Sequence, residues 1–506
     1  MKDVIYHNSH ELAYRKPFGA IESGNGLSIA ISVSQTISPK MVILNVTDKN
    51  NTYELEMDFL DRQKGFGCYR THIDTGGCIG LIFYHFTIIT SDGTFLYGNN
   101  KEQSGGEGCI YKEGPKPYQI TVYERPHSMP RWFSEAIIYQ IFPDRFYNKN
   151  YPIVKNPKEN SFVYGNWDDD PFYIKDKKGK VVRWDFFGGN LEGIAEKLPY
   201  LRELGIKAIY LNPIFEASSN HRYDTGDYKK IDPMLVTDKD FTELCNKADE
   251  LGIKIILDGV FSHTGDDSIY FNRYGNYSEL GAYQSDNSKY YKWYQFEEGT
   301  KCYKCWWGVD ALPNVNEMEP SYLDFIINDR DSVTAHWMNR GAKGWRLDVA
   351  DELPDEFIRQ LKDKAKSIDP DSVLIGEVWE DASNKISYGQ RREFLYGHEL
   401  DSVTNYPLRK NFIDFIRNDI DAKEIYKRVM SLYENYPKHY FYSALNLISS
   451  HDVPRIWTVF EERFRNEVII VKAMKLIILM QMTFPGVPCI YYGDEAGVRG
   501  YTDPDN

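Results

Sequence analysis

GWRLDVADE, residues 344–352, sets Arg346 and Asp348 two positions apart in a run whose other members include Trp345, Leu347, Val349 and Ala350. Such a run suits a strand buried on both faces, as in parallel sheets. Side chains alternate along a strand, so Arg346 and Asp348 share one face. Either they neutralise each other as a structural ion pair, or they point into a site that needs a carboxylate beside a cation. One strand does not decide this, and the surrounding chain must.

Outward from this stretch, strands alternate with helical patterns. AIIYQIFPDRF (136–146) precedes LEGIAEKLPYLRELG, and IKAIYLNPIF (206–215) precedes DKDFTELCNKADELG. IKIILDGVFSH (253–263) leads into a long insertion, and SYLDFIINDRDSVTAHWMNRG (321–341) reads as one helix before GWRLDVA. DEFIRQLKDKAKSID precedes SVLIGEVW (372–379), a shorter strand lies near DSVTNYPL, and AKEIYKRVMSLYENY, SALNLISSHD and GVPCIYYGDE complete the series. Eight strands with helices between most of them predict an α/β fold, a (β/α)₈ TIM barrel. A doubly wound open sheet is the alternative, weakened because no glycine-rich phosphate loop follows the first strand. The barrel is expected over 131–506. The stretch 266–320, rich in Tyr, Trp, Asn and Gly, is expected to form an inserted subdomain after the third strand, being too long for an ordinary connection.

Residues 1–125 read differently. GLSIAISVS, PKMVILNVTD, TYELEMDFLD, CIGLIFYHFTI and YQITVYERP are short, β-branched or aromatic, and parted by turn residues, which predicts an N-terminal β-sandwich. RPHSMPRW (125–132) is the expected linker.

With 60 Lys+Arg against 74 Asp+Glu, the formal charge of −14 leaves no cationic excess to displace counterions, so nucleic acid is not an expected partner. Tyrosine and tryptophan are abundant, 38 and 10, which suits flat faces for sugar rings as well as large cores. The seven cysteines include Cys302 and Cys305 in a CxxC, but no second pair follows at zinc-ribbon spacing. The first residues lack the apolar core of a signal peptide. The most apolar run, 468–484, is short for a membrane span and broken by Lys472 and Lys475. The expectation is a cytoplasmic protein without membrane partners.

Barrel chemistry sits at the C-terminal ends of strands. There the third strand carries Asp258 and His263, the fourth Arg346 and Asp348, the fifth Glu377, and the seventh His451 and Asp452. Singly, each has an ordinary reading: Asp258 as a helix cap, Glu377 as an ion-pair partner, His451 as a core histidine. Together they would crowd several acids at one mouth, which is costly unless the site uses them.

DGVFSHTG, GWRLDVADE, GEVWEDA and LISSHDVPR resemble, in order and spacing, the four signature regions of the α-amylase superfamily, glycoside hydrolase family 13. AIIYQIFPDRF and LNPIFEASSNHRYDTGDY are similar to the branch containing neopullulanase, cyclomaltodextrinase and maltogenic amylase. The resemblance implies Asp348 as nucleophile, Glu377 as general acid/base and Asp452 as the third acid. It makes Tyr223 the aromatic that stacks on the sugar at the cleavage point, and His263 and His451 its hydroxyl partners. Trp379 becomes an acceptor-side platform, Arg346 the cation keeping Asp348 ionised, and Asp258 a supporting carboxylate. A retaining glycosidase needs these types, one carboxyl ionised and one protonated, acting through a covalent intermediate.

Two departures matter. Ser262 stands where the branch often has asparagine. In GYTDPDN, Asp503 would bind sugar together with an arginine that normally follows, but the chain stops at Asn506, before the last barrel helix and a C-terminal β domain. The expectation is therefore an incomplete barrel. Calcium is possible near FYNKN through Asn148 and Asn150; otherwise no cofactor is required. The implied activity is retaining hydrolysis of α-1,4-glucosidic bonds in maltooligosaccharides, cyclodextrins or pullulan, with possible transglycosylation. In this branch the N-terminal module packs over the partner's active site, implying a homodimer. An α-glucosidase and a non-catalytic glucan-binding protein remain the alternatives.

Overall fold

The computed structural model describes residues 4–49, 51–125, 128–159, 161–236 and 238–506. The chain divides into two compact units. One comprises the N-terminal residues to Ser128 with Trp379–Glu399 and Pro407–Tyr442; the other comprises Met129–Val378, Leu400–Tyr406 and Ser443–Asn506. The stretch 131–506, expected as one barrel, thus gives two of its segments to the N-terminal unit. Pro126 and His127 of the expected linker lie outside the described residues.

The N-terminal unit is built on two sheets. Gly26–Ser34 pairs with Phe66–Asp74 in one, and Gly80–Thr90 pairs with Pro39–Thr47 and Tyr118–Tyr123 in the other. Alternate residues Leu27, Ile29, Ile31 and Val33 share a core with Val42, Leu44, Val46, Phe86, Ile120 and Val122. TYELEMDFLD, expected as one strand, divides at buried Met57. Thr52–Glu56 joins the second sheet and Asp58–Gln63 the first, so the chain changes sheets there, as strands at sandwich corners do. Within the same unit, fully buried Arg15 meets Glu434 at 2.5 Å and His10 adds a 2.9 Å contact, which ties the helix Ala422–Asn435 to the N-terminal strands.

The second unit holds eight parallel strands: β1 (Ile138–Ile141), β2 (Ala208–Leu211), β3 (Lys254–Gly259), β4 (Ala342–Leu347), β5 (Val373–Gly376), β6 (Ser402–Val403), β7 (Leu445–Leu447) and β8 (Val487–Tyr491). They pair in the order 6-5-4-3-2-1-8-7, and a parallel bridge from Thr404 to Leu445 joins the two ends of this order. Ile138, Ala208, Tyr210, Ile256, Val373, Ile375, Leu445, Leu447, Val487 and Cys489 pack together as its core. Within β2, β5, β7 and β8 these residues are two apart, which marks one face of each strand. Two positions further along that face stand Gln140, Asn212, Asp258 and Glu377, so the same periodicity that fills the barrel delivers polar groups at its C-terminal rim.

Irregular chain surrounds this rim. The expected insertion, 266–320, contains two short 3₁₀ turns and is organised around Phe271, whose ring meets those of Tyr283, Tyr294, Phe296 and Tyr303. A second long excursion, between β1 and the helix Leu191–Glu203, was not expected; it carries the small paired strands Phe162–Val163 with Asp185–Phe186 and Ile174–Lys175 with Val181–Arg183. The segment 321–341, expected as one helix, is two. Helical structure ends at Asn328 and restarts at Val333, where Ser332 Oγ caps the new helix by accepting the Ala335 N–H. All seven cysteines are free thiols. Among the described residues no helix is long and apolar enough to cross a membrane.

Gly344 shows how tightly β4 and β5 are drawn together. A Cβ there would lie 2.4 Å from the carbonyl oxygen of Val373, its register partner's backbone. Backbone cannot swing aside as a side chain can, so Gly344→Ala is expected to destabilise the barrel by about 1–3 kcal/mol or more. A urea midpoint for Gly344→Ala equal to that of the parent would contradict this packing.

Candidate active site

Arg346 is the hub of the rim. It is buried on β4, and its Nη1 donates to Asp258 Oδ1 and to Asp348 Oδ1, each at 2.9 Å, while Nη2 lies 3.0 Å from Glu377 Oε2. Asp258 is the register partner of Arg346 on β3, and Ile375, two residues before Glu377, is its partner on β5. Three adjacent strands therefore place three carboxylates on one guanidinium. The backbone turns sharply just beyond Asp348. Val349 takes φ 41° and ψ 63°, a left-handed conformation that a β-branched residue rarely adopts. That turn aims its N–H at Glu377 Oε2, 2.8 Å away.

A second network holds His451 and Tyr223. Gln140 donates through Nε2 to Asn212 Oδ1 and to His451 Nδ1, both at 3.0 Å. With Nδ1 accepting, the imidazole proton sits on Nε2. That nitrogen faces the Tyr223 hydroxyl at 2.5 Å and Asp452 Oδ2 at 3.3 Å. The Tyr223 oxygen also accepts from Asn212 Nδ2 at 3.0 Å, leaving its own hydrogen for Asp258 Oδ2 at 2.9 Å. Tyr210 donates to the same Asp258 oxygen at 2.6 Å. The rings of Tyr223 and His451 are nearly parallel, 5.3 Å apart. Asp258 is thus occupied by one arginine and two tyrosines. Gln140, Asn212 and Tyr210 are not among the expected residues, because they are neither charged nor histidine; a polar residue inside an apolar strand, such as Gln140 in IIYQIF, is the signal the sequence offers.

The remaining expected residues divide. His263 bonds Ser262 Oγ through Nδ1 at 3.0 Å, and its ring also lies against the backbone of Tyr223. The serine thus holds the histidine ring, a role its replacement of asparagine had put in doubt. Asp503 accepts the Tyr173 hydroxyl at 2.6 Å. Trp379 opens a segment of the other unit and is 43 % exposed. Asn148 and Asn150 lie away from the carboxylates, in the β1 excursion. Asn148 Oδ1 accepts from the Asn150 N–H and the Asn190 amide, and the nearby carboxylate, Glu192, pairs with Lys155. Calcium needs several free oxygen ligands, and this donor set does not fit it.

Burial governs the titration of the rim. It raises Asp348 well above the usual carboxylate range; Arg346 opposes this, while the charges of Glu377 and Asp258 add to it. The expectation that Arg346 simply keeps Asp348 ionised is therefore incomplete, since one cation faces three acids and the cluster holds on to a proton. Burial also raises Asp452 to about 6 and lowers His263 and His451 to about 4, so both imidazoles are neutral near pH 7. The two imidazoles thus stand as neutral hydroxyl-binding groups beside the carboxylate cluster.

Removing the hub tests this electrostatic account. Arg346 pulls the carboxylates down, so its stabilisation is present above their titration and fades as pH falls through it. Arg346→Met is expected to cost about 3–5 kcal/mol at pH 8, where a buried charge loses its partner. The loss should shrink below about pH 6, as Asp452 takes up a proton. Urea unfolding at pH 8 and pH 5 checks the sign; an equal or larger loss at pH 5 would contradict it.

Comparison with known proteins gives this geometry a family. The family model described as "Alpha amylase, catalytic domain" matches residues 140–505. An amylopullulanase of Thermoanaerobacterium saccharolyticum is 38% identical over the whole chain, which spans 42% of that protein. A cyclomaltodextrinase of Geobacillus thermopakistaniensis is 36% identical over 80% of this chain and 65% of its own length. Among solved structures, a cyclomaltodextrinase covers 99% of this chain and 80% of its own with a TM-score of 0.63 at 26% identity. The chain thus spans less than half the length of the amylopullulanase it resembles. With its signature carboxylates gathered on Arg346, the chain belongs to the α-amylase catalytic-domain family.

Proposed function

We propose that this chain hydrolyses α-1,4-glucosidic bonds in maltooligosaccharides, cyclodextrins or pullulan with retention of anomeric configuration. The observation that carries the reading is the single guanidinium of Arg346 bonded to Asp348 on one amino group and facing Glu377 on the other. Carboxyls held on one guanidinium suit the retaining arrangement, in which the two lie roughly 5–5.5 Å apart. The names of the relatives, amylopullulanase, cyclomaltodextrinase and neopullulanase, support the substrate class.

In this reading Asp348 attacks the anomeric carbon while Glu377 gives its proton to the departing glucosidic oxygen. A covalent ester to Asp348 forms and one chain end leaves. Glu377, now ionised, takes a proton from water as that water attacks the same carbon, which frees Asp348 and restores the acid. A sugar hydroxyl in place of water gives transglycosylation. Asp452, His451 and His263 hold hydroxyls of the reacting sugar, and Tyr223 stacks on the ring. Asp503 binds the sugar beyond it, and Trp379 offers an acceptor-side platform. A cytoplasmic homodimer, as the sequence resemblance implies, is part of the same proposal.

Reducing-sugar release from β-cyclodextrin, pullulan and soluble starch tests the reading, with Asp348→Asn of the 506-residue chain as the blank. Release is expected from cyclodextrin and pullulan faster than from starch, and none from the blank. On the acid side kcat/KM should fall through about pH 6 as Asp452 takes its proton in the free enzyme. Glu377→Gln should abolish release while still binding β-cyclodextrin. Turnover by Asp348→Asn at the parent rate would overturn the assignment.

A further inference from the structure

Two tryptophans in the 266–320 insertion are unused by the mechanism. Trp306 and Trp307 stack with centroids 4.9 Å apart and planes 8° from parallel. On its inner side, the Trp306 ring lies 5.5 Å from that of His263 at the barrel rim. Trp307, the outer ring, is 74% exposed. A row of three rings thus runs from the reacting end of the site outward and finishes on an open indole face.

Trp307 is also held in an unfavourable backbone state. Its φ of 47° and ψ of 29° are left-handed, at the first central position of a tight turn that the Val309 N–H closes by donating to the carbonyl of Trp306 at 2.8 Å. Its indole N–H donates to Glu352 Oε1 at 3.0 Å. Glu352 belongs to the turn Ala350–Glu352 that follows Asp348, and its own N–H bonds the carbonyl of left-handed Val349 at 2.8 Å. The exposed indole is therefore fastened to the loop that carries the proposed nucleophile. Buried under it, Trp306 Nε1 has no hydrogen-bond partner. A turn that presents a large apolar ring to water, instead of hiding it, marks an interaction site.

We propose that the outer face of Trp307 is a glucan subsite, taking the apolar C–H face of a glucosyl ring one or more units away from the cleaved bond, and that Glu352 is its positioning residue. The occupant is an α-glucan because the face continues the ring row from His263 and is rigid, flat and neutral, as stacking on a sugar requires. The inference rests on the function proposed above for the carboxylate cluster, and adds to it a dependence on chain length.

The test compares maltotriose, too short to span both regions, with maltoheptaose. Trp307→Ala should lower the ratio of kcat/KM for maltoheptaose to that for maltotriose about tenfold, the loss of one good aromatic contact. Glu352→Ala should lower the same ratio, whereas Glu352→Gln, whose carbonyl still accepts the indole N–H, should restore most of it. A merely structural role would depress both substrates alike and leave the ratio within twofold of the parent, which would overturn the proposal. An unchanged ratio with an altered sedimentation coefficient would overturn it in favour of a protein contact on this face. Maltoheptaose titration of Asp348→Asn, read by tryptophan fluorescence, separates the two readings. If the parent proves inactive yet Trp307→Ala in that background weakens binding about tenfold, the catalytic reading fails and the subsite stands. If hydrolysis is present and binding is unaffected, the subsite fails alone.

Discussion

One buried guanidinium governs the rim of this barrel. Arg346 meets Asp258, Asp348 and Glu377, acids from three neighbouring strands, and without it their charges could not share so small a volume. The strand register makes the meeting possible. Asp258 lies directly opposite Arg346, and Asp348 and Glu377 each project one repeat beyond paired residues. Gly344, one repeat before Arg346, lets β4 and β5 close up. The left-handed turn at Val349 costs of order 1–3 kcal/mol and persists because it gives Glu377 a backbone donor. Packing, strain and electrostatics thus converge on the same few residues.

The hydrogen bonds around the hub are of two kinds. From Gln140 through Asn212, His451 and Tyr223 to Asp258 the hydrogen bonds run unbroken, and the tautomer of His451 follows from its neighbours. Such a network holds side chains in place before substrate arrives, which is what catalysis by pre-set dipoles requires. His263 stands outside this network, anchored by Ser262 on one nitrogen and set against the backbone of Tyr223.

Much of this was legible in the sequence because it depends on short-range regularities. Buried parallel strands read as apolar runs, and their polar residues fall at the C-terminal ends, so DGVFSH, GWRLDV and GEVW announced both the barrel and its rim. What escaped depends on contacts distant in sequence or on irregular backbone. Nothing local in ENY predicts that Glu434 will be buried against Arg15, and so the division of the chain into two units was not readable. The excursion after β1 and the Trp306–Trp307 stack have no periodicity to betray them. Helical patterning ran unbroken across 321–341 because the break at Asp329–Ser332 depends on a single serine cap, a weak signal beside the apolar repeat. TYELEMDFLD looked continuous since a change of sheet preserves strand alternation.

The claim at the centre is that the Arg346-held cluster makes Asp348 the atom donor of a covalent bond to sugar. A maltosyl fluoride bearing a second fluorine on the reacting ring, which slows release of the intermediate, tests it by mass spectrometry of the digested protein. A maltosyl adduct on the peptide containing Asp348 is the predicted result. An adduct on Glu377 or Asp452 instead, or no adduct in a chain that turns over β-cyclodextrin, would contradict it.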